Sequence, residues 1–139
     1  MKEYRSVGAV IFRVVEGTAV YLLLKSGKGY WGFAKGHVEK GESDEETMRR
    51  EVVEEAGITD LKLLPNFKEE ISYLYKENGA LVKKTAAYFL AQTQQINVKL
   101  SLEHNSYAWL AFNAAIELIT HKTDREILEK TNKRLNDGN

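Results

Sequence analysis

Apolar residues in the first quarter of the chain come in dense runs. Residues 6–15 (SVGAVIFRVV) and 19–25 (AVYLLLK) are rich in β-branched and aliphatic side chains, and Glu16-Gly17-Thr18 divides them with a turn-sized gap. This pattern predicts two strands. Residues 26–36 (SGKGYWGFAKG) hold four glycines and the adjacent pair Tyr30-Trp31, which reads as a loop that approaches something closely. A helix is predicted over residues 44–56. Ser43 can cap it, with Glu46 three residues on completing a capping box. Asp44, Glu45 and Glu46 put negative charge where the helix dipole favours it, and Gly57 stands where a glycine ends a helix.

Downstream, residues 61–64 lead to Pro65, the only proline. Residues 67–75 (FKEEISYLY) and 81–92 (LVKKTAAYFLAQ) are strand candidates, joined across Lys76-Glu77-Asn78-Gly79, where Asn-Gly favours a hairpin. Residues 107–112 read as a further strand. Residues 113–118 and 122–135 read as helices, the second amphipathic through Ile127, Leu128 and Leu135. Residues 136–139 are expected to fray. Strands alternating with a few helices make the chain α/β or α+β, a mixed sheet between helices, in one domain spanning residues 1–139.

Composition narrows the class. At 139 residues, 43% hydrophobic and 29% charged, the chain suits an ordinary globule and excludes a disordered one. No apolar run nears the ~18 residues of a bilayer span, and Met1-Lys2-Glu3-Tyr4 lacks the apolar stretch of a signal peptide. The absence of cysteine excludes disulfides, thiolate metal sites and cysteine nucleophiles, and a cytoplasmic location is expected. Net charge is zero, so bulk electrostatics do not describe a nucleic-acid module. That zero conceals a concentration: residues 39–55 hold eight acids against three bases.

Helical geometry sharpens this feature. With about 100° between successive residues, Glu51, Glu54 and Glu55 share one arc. Met48, Val52, Val53 and Ala56 fall on the arc beside it and are expected to pack on the sheet. Arg50 adjoins Glu54. Two explanations fit: a solvated face relieved by Arg49 and Arg50, or a site for hard divalent cations, which take carboxylate oxygens.

The spacing goes further. Gly36, five residues, Glu42, seven residues, Arg50-Glu51-Val52, one residue, Glu54-Glu55, one residue, Gly57-Ile58 resembles the box of the Nudix hydrolases at every position, over residues 36–58. The resemblance implies an α/β/α sandwich that hydrolyses nucleoside diphosphates linked to another group. It assigns Glu51, Glu54 and Glu55 to metal, Mg²⁺ or Mn²⁺, with the Gly36 carbonyl joining them. Arg50 would orient the glutamates, and Glu42 would brace the loop.

The flanks bear on the substrate. Residues 31–39 (WGFAKGHVE) resemble the stretch that opens the box in asymmetric diadenosine tetraphosphate hydrolases, with Ala34 where that group carries proline. Leu100-Ser101-Leu102-Glu103-His104 is similar to their downstream Leu-Ser-x-Glu-His segment, and Glu69 to Tyr73 with Lys84-Thr85 resemble their substrate hairpin. This likeness implies cleavage of a dinucleoside polyphosphate, diadenosine tetraphosphate to ATP and AMP. The alternatives are pyrophosphate removal from RNA 5′ ends or from nucleoside triphosphates. It assigns Lys35 and Lys84 to phosphate, His37 and His104 to phosphate or to holding loops, and Tyr30, Tyr73 and His121 to the nucleoside. Glu103 goes to the metal or to proton removal from water, with Glu51 the other candidate for that proton. A small nucleotide substrate is implied, with no membrane and no nucleic acid beyond RNA 5′ ends.

Overall fold

The computed structural model describes residues 1–137. Its longest early strand, β1 (Lys2–Val15), organises one seven-stranded mixed sheet. A tight turn through Glu16 and Gly17, both at positive φ, returns the chain as β2 (Thr18–Ser26), antiparallel to the end of β1. Two short strands follow, β3 (Trp31–Gly32) on β2 and β4 (Ala34–His37) on β1. The helix α1 (Asp44–Ala56) leads to the hairpin of β5 (Lys62–Glu77) and β6 (Ala80–Gln92), turned by Asn78-Gly79 at positive φ. β6 runs parallel to β1, from Lys2 opposite Val82 to Phe12 opposite Gln92. Finally β7 (His104–Ala111) pairs with the outer edge of β2, and α2 (Phe112–Leu118) and α3 (Lys122–Asp137) close the chain.

Side chains of β1 alternate between two cores, as pleat geometry requires. Val7, Ala9 and Ile11 meet Met48, Val52 and Ala56 of α1 on one face. Val10 and Phe12 meet Ala115 of α2 and Ile127 and Leu128 of α3 on the other. The molecule is therefore the expected α/β class with helices on both faces of the sheet. Among the described residues no helix is long and apolar enough to cross a membrane.

Several expectations need correction. β1 begins at Lys2 instead of residue 6, because pairing with β6 carries the strand outward from Lys2 opposite Val82. The glycine-rich stretch is no plain loop: β3 and β4 lie within it, borrowing hydrogen-bond partners from β2 and β1. Residues 62–77 form one strand, interrupted by a bulge where Pro65 lacks an amide to donate and Asn66 adopts φ 61°. Val53 is 46% exposed, because it lies at the far edge of the arc whose centre is Val52. Asn136 and Asp137 belong to α3, while residues 138 and 139 lie outside the described residues.

Candidate active site

The helix α1 starts and stops as its sequence directs. Ser43 accepts from the Glu46 amide and Glu46 from the Ser43 amide, so the capping box is complete. Gly57 ends the helix at φ 67°, and its amide bonds the Val53 carbonyl. Between these caps one face of the helix is buried, and Glu51, Glu54 and Glu55 flank it.

The three glutamates differ in environment. Glu54 is exposed, Glu51 is largely covered, and Glu55 is buried. Glu51 lies so close to β4 that a Cβ built on Gly36 would come within 2.0 Å of its carboxyl carbon. Glu55 Oε1 accepts a long 3.4 Å bond from the Lys35 amide and lies 3.7 Å from His104 Nε2. Burial pushes the Glu55 carboxyl up to about 9, aided by a hydrogen bond and charge from Glu51 and charge from Glu103. Burial also lowers His104, opposed by Glu103, so its imidazole is a neutral neighbour near pH 7.

Arg50 ties the loop to the helix. Its guanidinium donates to Glu42 at 2.7 and 3.0 Å, to Glu51 at 2.7 Å, to Glu54 at 3.3 Å and to the His37 carbonyl at 3.0 Å. The Arg50 hydrogen bond, with the Glu39 amide, holds the Glu42 carboxyl down to about 2. Glu42 therefore braces the loop. Arg50 itself lines neither of the clefts described next.

Two confluent clefts open beside α1. The first, about 650 Å³, is lined by Gly36, His37, Glu51, Glu54 and Leu102 among others. The second, about 570 Å³, is lined by Tyr30, Trp31, Tyr73, His121 and Asp124 among others. Lys35, Glu55, Lys84 and Glu103 line both. Burial, together with the Lys35 ammonium, pushes the Lys84 amine below its ordinary value, so two cations converge at the junction. The Tyr30 and His121 rings meet edge to face at 5.2 Å on the wall of the second cleft. Every sequence-derived candidate except Arg50 thus lines one cleft or both.

The donor set matches a hard cation. Carboxylates of Glu51, Glu54, Glu55 and Glu103, with backbone oxygen at Gly36, are oxygen donors of the kind Mg²⁺ and Mn²⁺ take. Gly36 leaves a hollow that any side chain would fill against Glu51. Among the described residues no three histidine, aspartate or glutamate side chains are gathered closely enough to hold a metal ion. The reason is visible: Arg50 draws Glu51 and Glu54 to itself while Glu55 turns toward Lys35 and His104. The donors are present and side-chain rotation would be needed to close them.

His104, read from the sequence with His37 as positioning phosphate or holding a loop, lines the second cleft beside Glu103. One charged lining residue escaped sequence reasoning. Asp124 arrives from α3, and no local pattern connects it to Tyr30 or Tyr73.

Comparison with known proteins bears on the family and the fold. Residues 2–131 match the NUDIX domain. The chain is 38% identical over 138 residues to the asymmetrical bis(5′-nucleosyl)-tetraphosphatase of Sus scrofa, covering 91% of each chain. It is 30% identical over 129 residues to the Caenorhabditis elegans protein of that name, covering 91% of this chain and 92% of the other. Its fold superimposes on the C. elegans Ap4A hydrolase binary complex with a TM-score of 0.85 at 29% identity, covering 96% of this chain and 98% of that one. Shared box, shared fold and shared length lead to one conclusion: the chain belongs to the Nudix family, as a hydrolase close to the asymmetrical bis(5′-nucleosyl)-tetraphosphatases.

Proposed function

We propose that this protein hydrolyses a phosphoanhydride of a dinucleoside polyphosphate, cleaving diadenosine tetraphosphate to ATP and AMP with Mg²⁺, or Mn²⁺ in its place. The observation that carries this reading is the confluence of an acidic cleft with an aromatic one across Lys35 and Lys84. A base with a flat apolar face suits rings such as Tyr73, Tyr30 and His121. Its polyphosphate then runs past the two lysines toward the glutamates.

The residues divide the work. Lys35 and Lys84 neutralise phosphate oxygens where charge grows in the transition state. Glu51, Glu54, Glu55 and Glu103, with the Gly36 carbonyl, would hold the cation, which supplies Lewis-acid polarisation of the phosphoanhydride. The attacking water would give up its proton to a glutamate, Glu51 or Glu103. Glu103 takes this part where it is not itself a ligand of the cation, since it lines both clefts and is exposed to solvent. Arg50 keeps Glu51 and Glu54 on the cleft side of α1, and His37 lies on the phosphate path. No covalent enzyme intermediate is needed, since water attacks phosphorus in line.

The test is product identification after incubation with Mg²⁺ and diadenosine tetraphosphate. ATP and AMP in equal amounts support the assignment. Two ADP would refute the asymmetric position of cleavage. An intact dinucleotide, with pyrophosphate released from 5′-triphosphorylated RNA or nucleoside triphosphates, would replace the substrate.

A further inference from the structure

Hydrolysis as described leaves one carboxylate of the aromatic cleft without a role. Asp124 lies in the first turn of α3 and is 5% exposed. Its Oδ1 accepts a 3.3 Å hydrogen bond from the hydroxyl of Tyr88, itself fully buried in β6. The ion pairs among the described residues do not include Asp124. Its Oδ2 faces Gly32, where a Cβ would come within 3.2 Å, and both residues line the cleft with Tyr30, Tyr73 and His121.

An acid near a helix start often bonds the helix's own amides. Asp124 instead bonds a tyrosine across the core, so helix capping does not explain it. Its place in the first turn of α3 and the Tyr88 hydroxyl account for one oxygen and for the charge, but not for the second oxygen, which faces the cleft. What a carboxylate can do that a neutral apolar side chain cannot is accept strongly from an N–H. The rings around it suit the face of a base, and its free oxygen meets what lies at the edge.

Given the nucleotide reading, on which this rests, we infer that Asp124 is the base-reading residue of the aromatic cleft, its Oδ2 accepting a hydrogen bond from the amino group of a purine held against the rings. Bases that present only acceptors at that edge meet an anion and are rejected. Discrimination at this position therefore rests on a hydrogen bond and not on shape.

The experiment compares kcat/KM for diadenosine tetraphosphate with that for the analogue whose bases are unsubstituted purine, hydrogen replacing the amino group. The wild type favours adenine by at least about tenfold. Asp124→Asn brings the ratio toward one, chiefly through KM. Gly32→Ala, whose methyl crowds Oδ2, narrows it while leaving the acid in place. Tyr88→Phe removes the tyrosine–aspartate bond and keeps the ratio, which a merely structural Asp124 would not allow to differ from Asp124→Asn. A wild type blind to the amino group, or an Asp124→Asn variant that keeps the ratio, overturns the inference. If the wild type cleaves neither dinucleotide, the substrate assignment fails separately. The inference then stands or falls on calorimetric binding of AMP against purine riboside monophosphate, with the same loss expected in Asp124→Asn.

Discussion

Gly36→Ala separates the site from the fold. Gly36 lies in β4 opposite Val7, so neighbouring strands hold its backbone. A methyl added there would stand 2.0 Å from Glu51 Cδ and 2.1 and 2.3 Å from its two oxygens. The carboxyl must retreat by about 1.4 Å to reach ordinary van der Waals separation. It can do so by rotating, because it is the far end of a flexible side chain. The retreat also breaks the 2.7 Å bond to Arg50, a loss of roughly 1–2 kcal/mol for a largely covered pair. Misplacing a catalytic group by about 1 Å costs on the order of 10²-fold in rate. The expected result is kcat/KM for diadenosine tetraphosphate lower by about two orders of magnitude, with a melting temperature reduced by only a few degrees. Gly8→Ala is the contrast. Its methyl would meet Ala34 O at 2.0 Å and Lys35 Cα at 2.8 Å, which are backbone atoms of a paired strand and cannot rotate away. That variant is expected to lose more than about 3 kcal/mol or fail to fold. If Gly36→Ala kept full activity, the placement of Glu51 against β4 would be irrelevant to catalysis. If it destabilised as strongly as Gly8→Ala, the clash would not be absorbed by the glutamate.

Other perturbations probe separate parts of the machinery. Glu55→Gln is expected to lower turnover by orders of magnitude. It should also raise the stability of the metal-free protein at neutral pH. The sign follows from its raised folded value: stability is full below the ordinary 4.5 and falls as pH rises toward about 9, a slope that the amide removes and that pH-dependent melting would show. Arg50→Ala frees the loop from Glu42 and the His37 carbonyl and releases Glu51 and Glu54. It is expected to cost roughly 1–3 kcal/mol in urea unfolding and at least tenfold in kcat/KM. Asp44 is held down to about 2 by Arg5, then by Lys68, so its contribution to stability is present above 3.8 and lost as pH falls toward about 2. Asp44→Asn should flatten acid unfolding across that window. Chelation of divalent cations is expected to abolish hydrolysis, and readdition of Mg²⁺ to restore it, in a product-release assay.

What the sequence disclosed about this molecule depended on how far each feature reaches along the chain. The α1 boundaries were legible because Ser43, Glu46 and Gly57 act on amides within a few residues of themselves. The Asn78-Gly79 turn was legible for the same reason. Short strands such as Trp31–Gly32 were not, because they exist only by virtue of a partner strand whose position is a property of the whole sheet. The bulge at Pro65 and Asn66 hid the continuity of β5, since a residue without an amide reads locally as an end.

The site divides along the same line. Glu51, Glu54 and Glu55 could be placed on one side of a helix by periodicity, yet periodicity gives all three the same standing. Tertiary contacts make them unequal: Glu54 stays in solvent, Glu51 fills the hollow over Gly36, and Glu55 is buried beneath the Lys35 amide. That inequality has a chemical consequence. Burial makes the Glu55 anion costly until a positive charge arrives, while Arg50 already occupies the outer pair. A cation entering from the cleft therefore competes with the Arg50 guanidinium for Glu51, but at Glu55 it meets only the His104 imidazole at 3.7 Å and the Lys35 amide. On this account Glu55 is the carboxylate whose loss an ion cannot tolerate, and Glu54, exposed and shared with Arg50, is the one whose replacement by glutamine should be milder in both metal affinity and turnover.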